Sequence, residues 1–221
     1  MNITIICVGK LKEKFWKQAC DEYLKRLRPY ANVSVCEVTD VDPRTSGGED
    51  IAREREGEAI VRAIEKRFGA GAGSRLKAGG GGASRVATTR NSGTRSVPRQ
   101  SVNANVSSNS GSRSRSNVKG NVKARSNICS PSAHIFLLAI EGQQRTSLEF
   151  SQHLDDLKLD GISDFAFIIG GSGGVSSAVY ESASELVSFG KITLPHNLAR
   201  VVLLEQIYRA FKISRGEPYH K

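Results

Sequence analysis

Residues 69–132 set the terms for what this chain can fold into. The 64-residue stretch holds no Phe, Tyr or Trp and no Asp or Glu, but ten Gly, fourteen Ser and eleven Lys or Arg. So little apolar surface cannot offset the entropy of ordering a chain. Segments such as GAGAGS, AGGGGAS and SSNSGSRSRS read as flexible, disordered low complexity. A core must come from the flanking segments, 1–68 and 133–221, whose 157 residues are ample for a single domain.

The same stretch explains the charge. The formal net charge is +10, from 32 basic and 22 acidic residues. With the insert's eleven cations set aside, 21 basic residues face 22 acidic ones. The folded body is near neutral, and its charge alone does not argue for nucleic-acid binding. The insert alone would suit a non-enzymatic RNA-binding protein.

Other classes fall away. No run approaches the roughly 18–20 apolar residues of a membrane span. After Met1 the apolar run ITIICVG has no basic leader and reads as a first strand rather than a signal peptide, so a cytoplasmic location is expected. Cys7, Cys20, Cys36 and Cys129 form no CxxC pair and have no His at zinc-like spacing. They read as reduced thiols, and no metal is expected.

Strands and helices alternate along the body. Asn2–Val8, Val33–Val38, His134–Ile140 (HIFLLAI), Phe165–Ile169 (FAFII) and Lys191–Leu194 read as strands. Glu13–Leu27, Ile51–Phe68, Ser147–Leu159, Ser176–Val187 and His196–Ile213 read as helices by apolar spacing, with Ile51, Ala59, Ile60, Ala63, Ile64 and Phe68 on the inward face of the second. Pro195 suits a helix start. Continuous apolar runs suit strands buried on both faces. The pattern predicts an α/β fold, a mainly parallel sheet with helices on both faces.

Two segments carry possible chemistry. The first is the GGSGG loop, Gly170–Gly174, which leaves a buried strand at the edge where α/β sheets bind ligands. It lacks the Gly-Lys-Ser/Thr of a Walker loop and does not complete GxGxxG. It does fit G-x-S-x-G, with Ser172 as a nucleophile and Glu185 or Glu205, then His196 or His220, following in hydrolase order. The second is Thr193–Lys221 (TLPHNLARVVLLEQIYRAFKISRGEPYHK), an apolar helix studded with polar residues. Glu205 and Arg209 stand at i,i+4 and can pair. The tail offers Pro218, an aromatic Tyr219, an imidazole His220 and a cation Lys221, which suit base stacking and phosphate contact.

The stretches FIIGGSGG and ITLPHNLARVVLLEQIYRAFKISRGEPYHK, with ITIICVGKLKE and LLAIEG, resemble the RlmH family of SPOUT-class RNA methyltransferases. The resemblance covers nearly all of the body and leaves the insert without a counterpart. It implies a C-terminal trefoil knot, a feature nearly absent from other folds. It implies a homodimer, S-adenosylmethionine held in the knot, and methyl transfer to ring nitrogen 3 of a pseudouridine in large-subunit ribosomal RNA, in the assembled ribosome or its subunit. Leu138, Gly171 and the segment Gly190, Lys191, Ile192, Thr193, Leu194 and Pro195 match the family's cofactor-binding positions. His196, Arg200, Glu205, Tyr208 and Arg209 match recurrent polar positions and are candidate substrate contacts. Tyr219 and His220 are the candidate catalytic pair, Tyr219 positioning the base and His220 relaying a proton, in a tail that completes the partner subunit's site. Where the family loop commonly reads Gly-Gly-Pro-x-Gly, Ser172 and Gly173 stand here.

Overall fold

The computed structural model describes residues 1–69 and 133–219. The low-complexity reading of 69–132 therefore concerns residues that, Gly69 apart, lie outside the described ones. His220, Lys221 and Cys129 lie outside them too.

The described chain runs β1 (Asn2–Val8), α1 (Lys14–Leu27), β2 (Asn32–Val38), α2 (Pro43–Ser46), α3 (Glu49–Phe68), β3 (His134–Gln144), α4 (Ser147–Leu159), β4 (Asp164–Ile169), α5 (Ser177–Ser182), β5 (Glu185–Ser188) and α6 (His196–Ser214). The five strands form one sheet in the order β2-β1-β4-β3-β5, and every pairing is parallel. β1 and β4 are central and almost wholly buried, as their unbroken apolar runs require.

Because side chains alternate across a strand, the sheet has two apolar faces. One carries Ile3, Ile5, Phe136, Phe165 and Phe167 against Cys20 and Leu27 of α1, Phe150 and Leu154 of α4, and the buried stripe of α6. Phe136 and Phe167 stack there, 4.6 Å apart and within 5° of parallel. The other face carries Ile6, Val8, Ile135, Leu137 and Ile168 against Ile60 and Ile64 of α3 and Val179 of α5. Each fully buried side chain of this size contributes about 1.5–3 kcal/mol. Helices thus cover both faces, as the alternation predicts.

Three expectations are corrected. The helix expected over 176–187 stops at Ser182, and 185–188 forms edge strand β5. Serines are poor helix interiors because they bond the backbone themselves. Ser182 turns back onto the Ala178 carbonyl, and Ser184 bonds Ile135 through both its N–H and its hydroxyl, handing the chain to β3. Lys191–Leu194 is consequently a loop, since β5 already holds the place beside β3. In α3 the inward stripe is Ala52, Glu56, Ile60 and Ile64, while Ile51 is 44% exposed.

β3 also outruns its expected end. Both Leu138 and Gln143 lie opposite Val187, so residues 139–142 bulge out of register. Gly142 makes that approach feasible, because a Cβ there would stand 2.6 Å from the backbone of Val187. A capping box at Thr146 and Glu149 then opens α4. No described helix is long and apolar enough to cross a membrane.

Candidate active site

Three segments at the carboxyl edge of the sheet enclose a cleft of about 620 Å³. They are the β3 bulge (Leu138, Ala139, Ile140, Glu141), the β4–α5 loop (Gly170, Gly171, Ser172, Gly174, Val175) and the β5–α6 loop (Phe189, Gly190, Ile192, Thr193, Leu194, Pro195), closed by Tyr180, His196 and Ala199. This is the edge at which open α/β sheets bind ligands, and the volume falls in the ordinary small-molecule range.

The loops are held locally. The Ser188 hydroxyl at the end of β5 lies 3.0 Å from the Ile140 carbonyl and 2.9 Å from the Gly190 carbonyl, either of which can take its one proton, and accepts from the Gly190 N–H at 3.1 Å. One hydroxyl so ties two of the cleft's three walls together. Tyr180 donates to Glu141 at 2.7 Å, and that bond is the main cause holding the Glu141 carboxyl below its ordinary range. The GGSGG turn closes with the Gly174 N–H on the Gly171 carbonyl at 3.2 Å, and Gly174 has φ +83°. Only glycine adopts that conformation freely.

Beneath the turn lies Glu56 of α3. Its Oε1 accepts from the Val41 N–H at 3.0 Å. A Cβ on Gly171 would stand 2.5 Å from its Oε2 and 3.2 Å from Val8. Burial pushes the Glu56 carboxyl up, against the lowering effect of the Val41 bond and with help from Asp40. Gly171 is thus a glycine because a carboxylate occupies the space a side chain would need.

The structure gathers most of the expected cofactor positions in one place. Leu138, Gly171, Gly190, Ile192, Thr193, Leu194 and Pro195 all line the cleft, and His196, expected as a substrate contact, joins them. Lys191 does not line it and is exposed. Arg200 is not brought to the cleft wall. It is 1% exposed, donating to Glu37 at 2.7 Å and to the Gly9 carbonyl at 3.0 Å.

The remaining polar residues of α6 form a second cluster. Glu205 accepts from Arg209 Nε at 2.9 Å and from the Tyr219 hydroxyl at 3.3 Å. Arg209 lies 4.8 Å from the Tyr219 ring centre, and Tyr208 meets that ring edge-on at 5.0 Å. Burial, with Tyr23 and Glu205 adding to it, pushes the Tyr219 phenol up to about 12. It is a hydrogen-bond donor at neutral pH, not a base. The tail is pinned behind it: Tyr30 donates to Glu217 at 2.7 Å, and Lys212 pairs with the same carboxylate. Along an α-helix, Glu205 and Arg209 stand about 14 and 20 Å beyond His196. The tail cluster and the cleft of one chain are therefore distinct.

Among the described residues the hydrolase arrangement does not assemble. Ser172 is exposed on the cleft and, among the described residues, makes no hydrogen bond to a histidine. Glu185 and Glu205 are each engaged elsewhere. The thiols of Cys7, Cys20 and Cys36 are free, and burial pushes Cys7 up to about 12, which leaves it unreactive. Glu56, Glu141, Tyr180 and Ser188 were not singled out in the sequence. Only Glu56, a charge on a helix's buried stripe, left a signal there.

Comparison with known proteins agrees with this geometry. Residues 1–70 and 86–220 match the family model described as "Predicted SPOUT methyltransferase". Proteins named ribosomal RNA large subunit methyltransferase H from Bacillus thuringiensis (strain Al Hakam) and Bacillus anthracis are each 38% identical over 224 aligned positions, covering 100% of this chain and 100% of theirs. A cleft walled by the β3 bulge, a glycine turn and the loop before the last helix, on a chain matched from end to end, places this protein in the SPOUT methyltransferase family, beside the large-subunit ribosomal RNA methyltransferases H.

Proposed function

We propose that this protein is an S-adenosylmethionine-dependent methyltransferase that modifies ring nitrogen 3 of a pseudouridine in large-subunit ribosomal RNA. The observation that carries the reading is the cleft itself, where seven of the eight expected cofactor positions meet. Its chemistry fits the cofactor. Leu138, Ile140, Val187 and Leu194 offer apolar walls for a purine, and Glu141 offers a carboxylate to ribose hydroxyls. Backbone groups of the two glycine-bearing loops can approach without side chains in the way.

S-adenosylmethionine brings a methyl group already activated on sulfonium, so the protein's task is chiefly alignment. The three loops fix the donor's place. Glu205 orients Arg209 and the Tyr219 hydroxyl, and Tyr219, a protonated phenol on an aromatic ring, positions the base. The acceptor N–H must lose its proton, and His220 of the tail is the group assigned to relay it. Arg200 acts indirectly, as a buried tie between α6 and the sheet.

Tyr219, held at Glu205, stands about 14 Å along α6 from His196 of its own chain's cleft. This supports a homodimer in which each tail completes the partner's cleft. Ile192 and Ile140, 67% and 50% exposed beside the cleft, supply apolar surface for such an interface. The trefoil threading belongs to the same reading. With a near-neutral body, the substrate is a structured ribosomal target rather than bare RNA, because phosphate contacts otherwise dominate affinity.

The test is calorimetric titration with S-adenosylmethionine and its demethylated product, followed by transfer of labelled methyl to large subunits lacking the modification. Saturable binding at one site per chain or per dimer, with label on one pseudouridine, is the expected result. A folded protein that binds neither compound, or that labels another base, overturns the reading.

A further inference from the structure

At the amino edge of the sheet, opposite the cleft, three chemistry-bearing side chains converge from three elements. His134 opens β3, His153 lies on α4 and Glu185 opens β5. Their ligand atoms all lie within 4.8 Å of one another. Glu185 Oε2 is 2.9 Å from His153 Nε2 and 3.7 Å from His134 Nε2. These separations bracket the spacing of about 3.3 Å that tetrahedral ligands adopt around an ion at 2.0–2.1 Å.

A second observation points the same way. His134 Nε2 is buried and, among the described residues, has no partner at hydrogen-bond distance, with Glu185 Oε2 standing off at 3.7 Å. A buried polar atom without a partner is costly and calls for an explanation. The carboxylate is already oriented from behind. Arg145 Nη1 holds Oε1 at 3.1 Å, while Nη2 sits 3.5 Å from Oε2 and is better placed on Gln143 at 2.8 Å. The guanidinium chiefly supports the oxygen that faces away from the imidazoles, as supporting residues do in metal sites. The three side chains are neither buried out of reach nor freely exposed, at 16%, 25% and 20%.

We propose that His134, His153 and Glu185 form a binding site for one divalent transition-metal ion of the zinc class. Two neutral imidazoles and a carboxylate are the donor set such ions take. Water or the second carboxylate oxygen completes the coordination. The site lies about 13 Å along β3 from Leu138, so the ion is structural. It staples the starts of β3 and β5 to α4, and β5 is the short edge strand that leads into the cleft's third loop. The site stands apart from the methyl-transfer reading and survives or fails independently of it.

The full-length protein, stripped by chelator, would be titrated with Zn²⁺ against a chromophoric competitor and with Co²⁺ as a spectroscopic probe. The expected result is one ion per chain, with a Co²⁺ spectrum lacking thiolate charge transfer. His153→Gln and His134→Gln should each weaken binding at least about tenfold, since even supporting residues act on that scale. Cys36→Ser should not change it. Melting in chelator checks that the variants fold, and Zn²⁺ should raise the melting temperature of the wild type but not of His153→Gln. No stoichiometric binding by the wild type, or binding that persists in the His134→Gln/His153→Gln protein, overturns the proposal.

Discussion

Arg200 of α6 donates to Glu37 of β2 across 2.7 Å, and its other terminal nitrogen holds the Gly9 carbonyl at 3.0 Å. The guanidinium side chain is 2% exposed, whereas Glu37 keeps 32% of its own in water. The pair locks the first turns of the last helix onto the ends of the first two strands. Arg200→Ala should destabilise the protein by about 3 kcal/mol. That is the low end for breaking a buried pair, because the abandoned carboxylate is partly solvated. Denaturant unfolding measures it. Cofactor affinity of the protein that remains folded should change little, which separates this tie from a ligand contact.

Gly171 and Glu56 make a converse case, in which the cleft depends on an empty Cβ position. Gly171→Ala places a methyl 2.5 Å from Glu56 Oε2. The turn must shift, and S-adenosylmethionine affinity should fall at least about tenfold, or about 1.4 kcal/mol, within the usual cost of overpacking. Because residues in contact do not act additively, Gly171→Ala combined with Glu56→Ala should bind more tightly than the product of the two single effects. Calorimetric titration of the four proteins reads the coupling, and strict additivity would show that the contact is not the cause.

Glu56 also predicts a pH dependence. Burial raises its carboxyl above the ordinary value, so the fold disfavours the charged form. Below the unfolded-state value the group is protonated in both states and costs nothing. As pH rises through the raised folded-state value the penalty grows to its full size. Glu56→Gln keeps an acceptor for the Val41 N–H and carries no charge. Its urea midpoint should match wild type near the acid end and exceed it at neutral pH. A variant less stable than wild type at pH 7 would mean that the charge is compensated.

Much of this architecture was legible from apolar spacing. The runs at 2–8, 134–140 and 165–169 have no solvent face to offer, and they are central strands or long neighbours of them. The errors fell where side-chain hydrogen bonds overrode that spacing. Ser182 and Ser184 end a helix that the apolar period would have continued, and Gly142 lets β3 run on through a bulge. Leu138, Gly190 and Ile192 of the cleft were named through resemblance, and physics alone gave the GGSGG turn and the segment from Thr193 onward. Glu56 left only a faint signal, because a carboxylate at the spacing of a buried stripe is easily read as a solvated one. The His134, His153 and Glu185 cluster hid because its members lie on three elements, with no spacing to mark them.

The separation of the tail cluster from the cleft gives the sharpest test of the composite site. Glu205→Gln removes the charge that orients Arg209 and accepts from Tyr219, yet leaves the cleft untouched. It should keep S-adenosylmethionine affinity and lose most turnover. Gly171→Ala should do the opposite, damaging the cleft while sparing the tail. If each tail serves the partner's cleft, a heterodimer of the two variants holds one site with both parts intact and one with both damaged. Random mixing then restores roughly a quarter of wild-type sites. If tail and cleft of the same chain worked together, every site in the mixture would carry one defect and no activity would return. Methyl transfer to large subunits, measured after co-refolding the two variants at equal concentration, distinguishes the two arrangements directly.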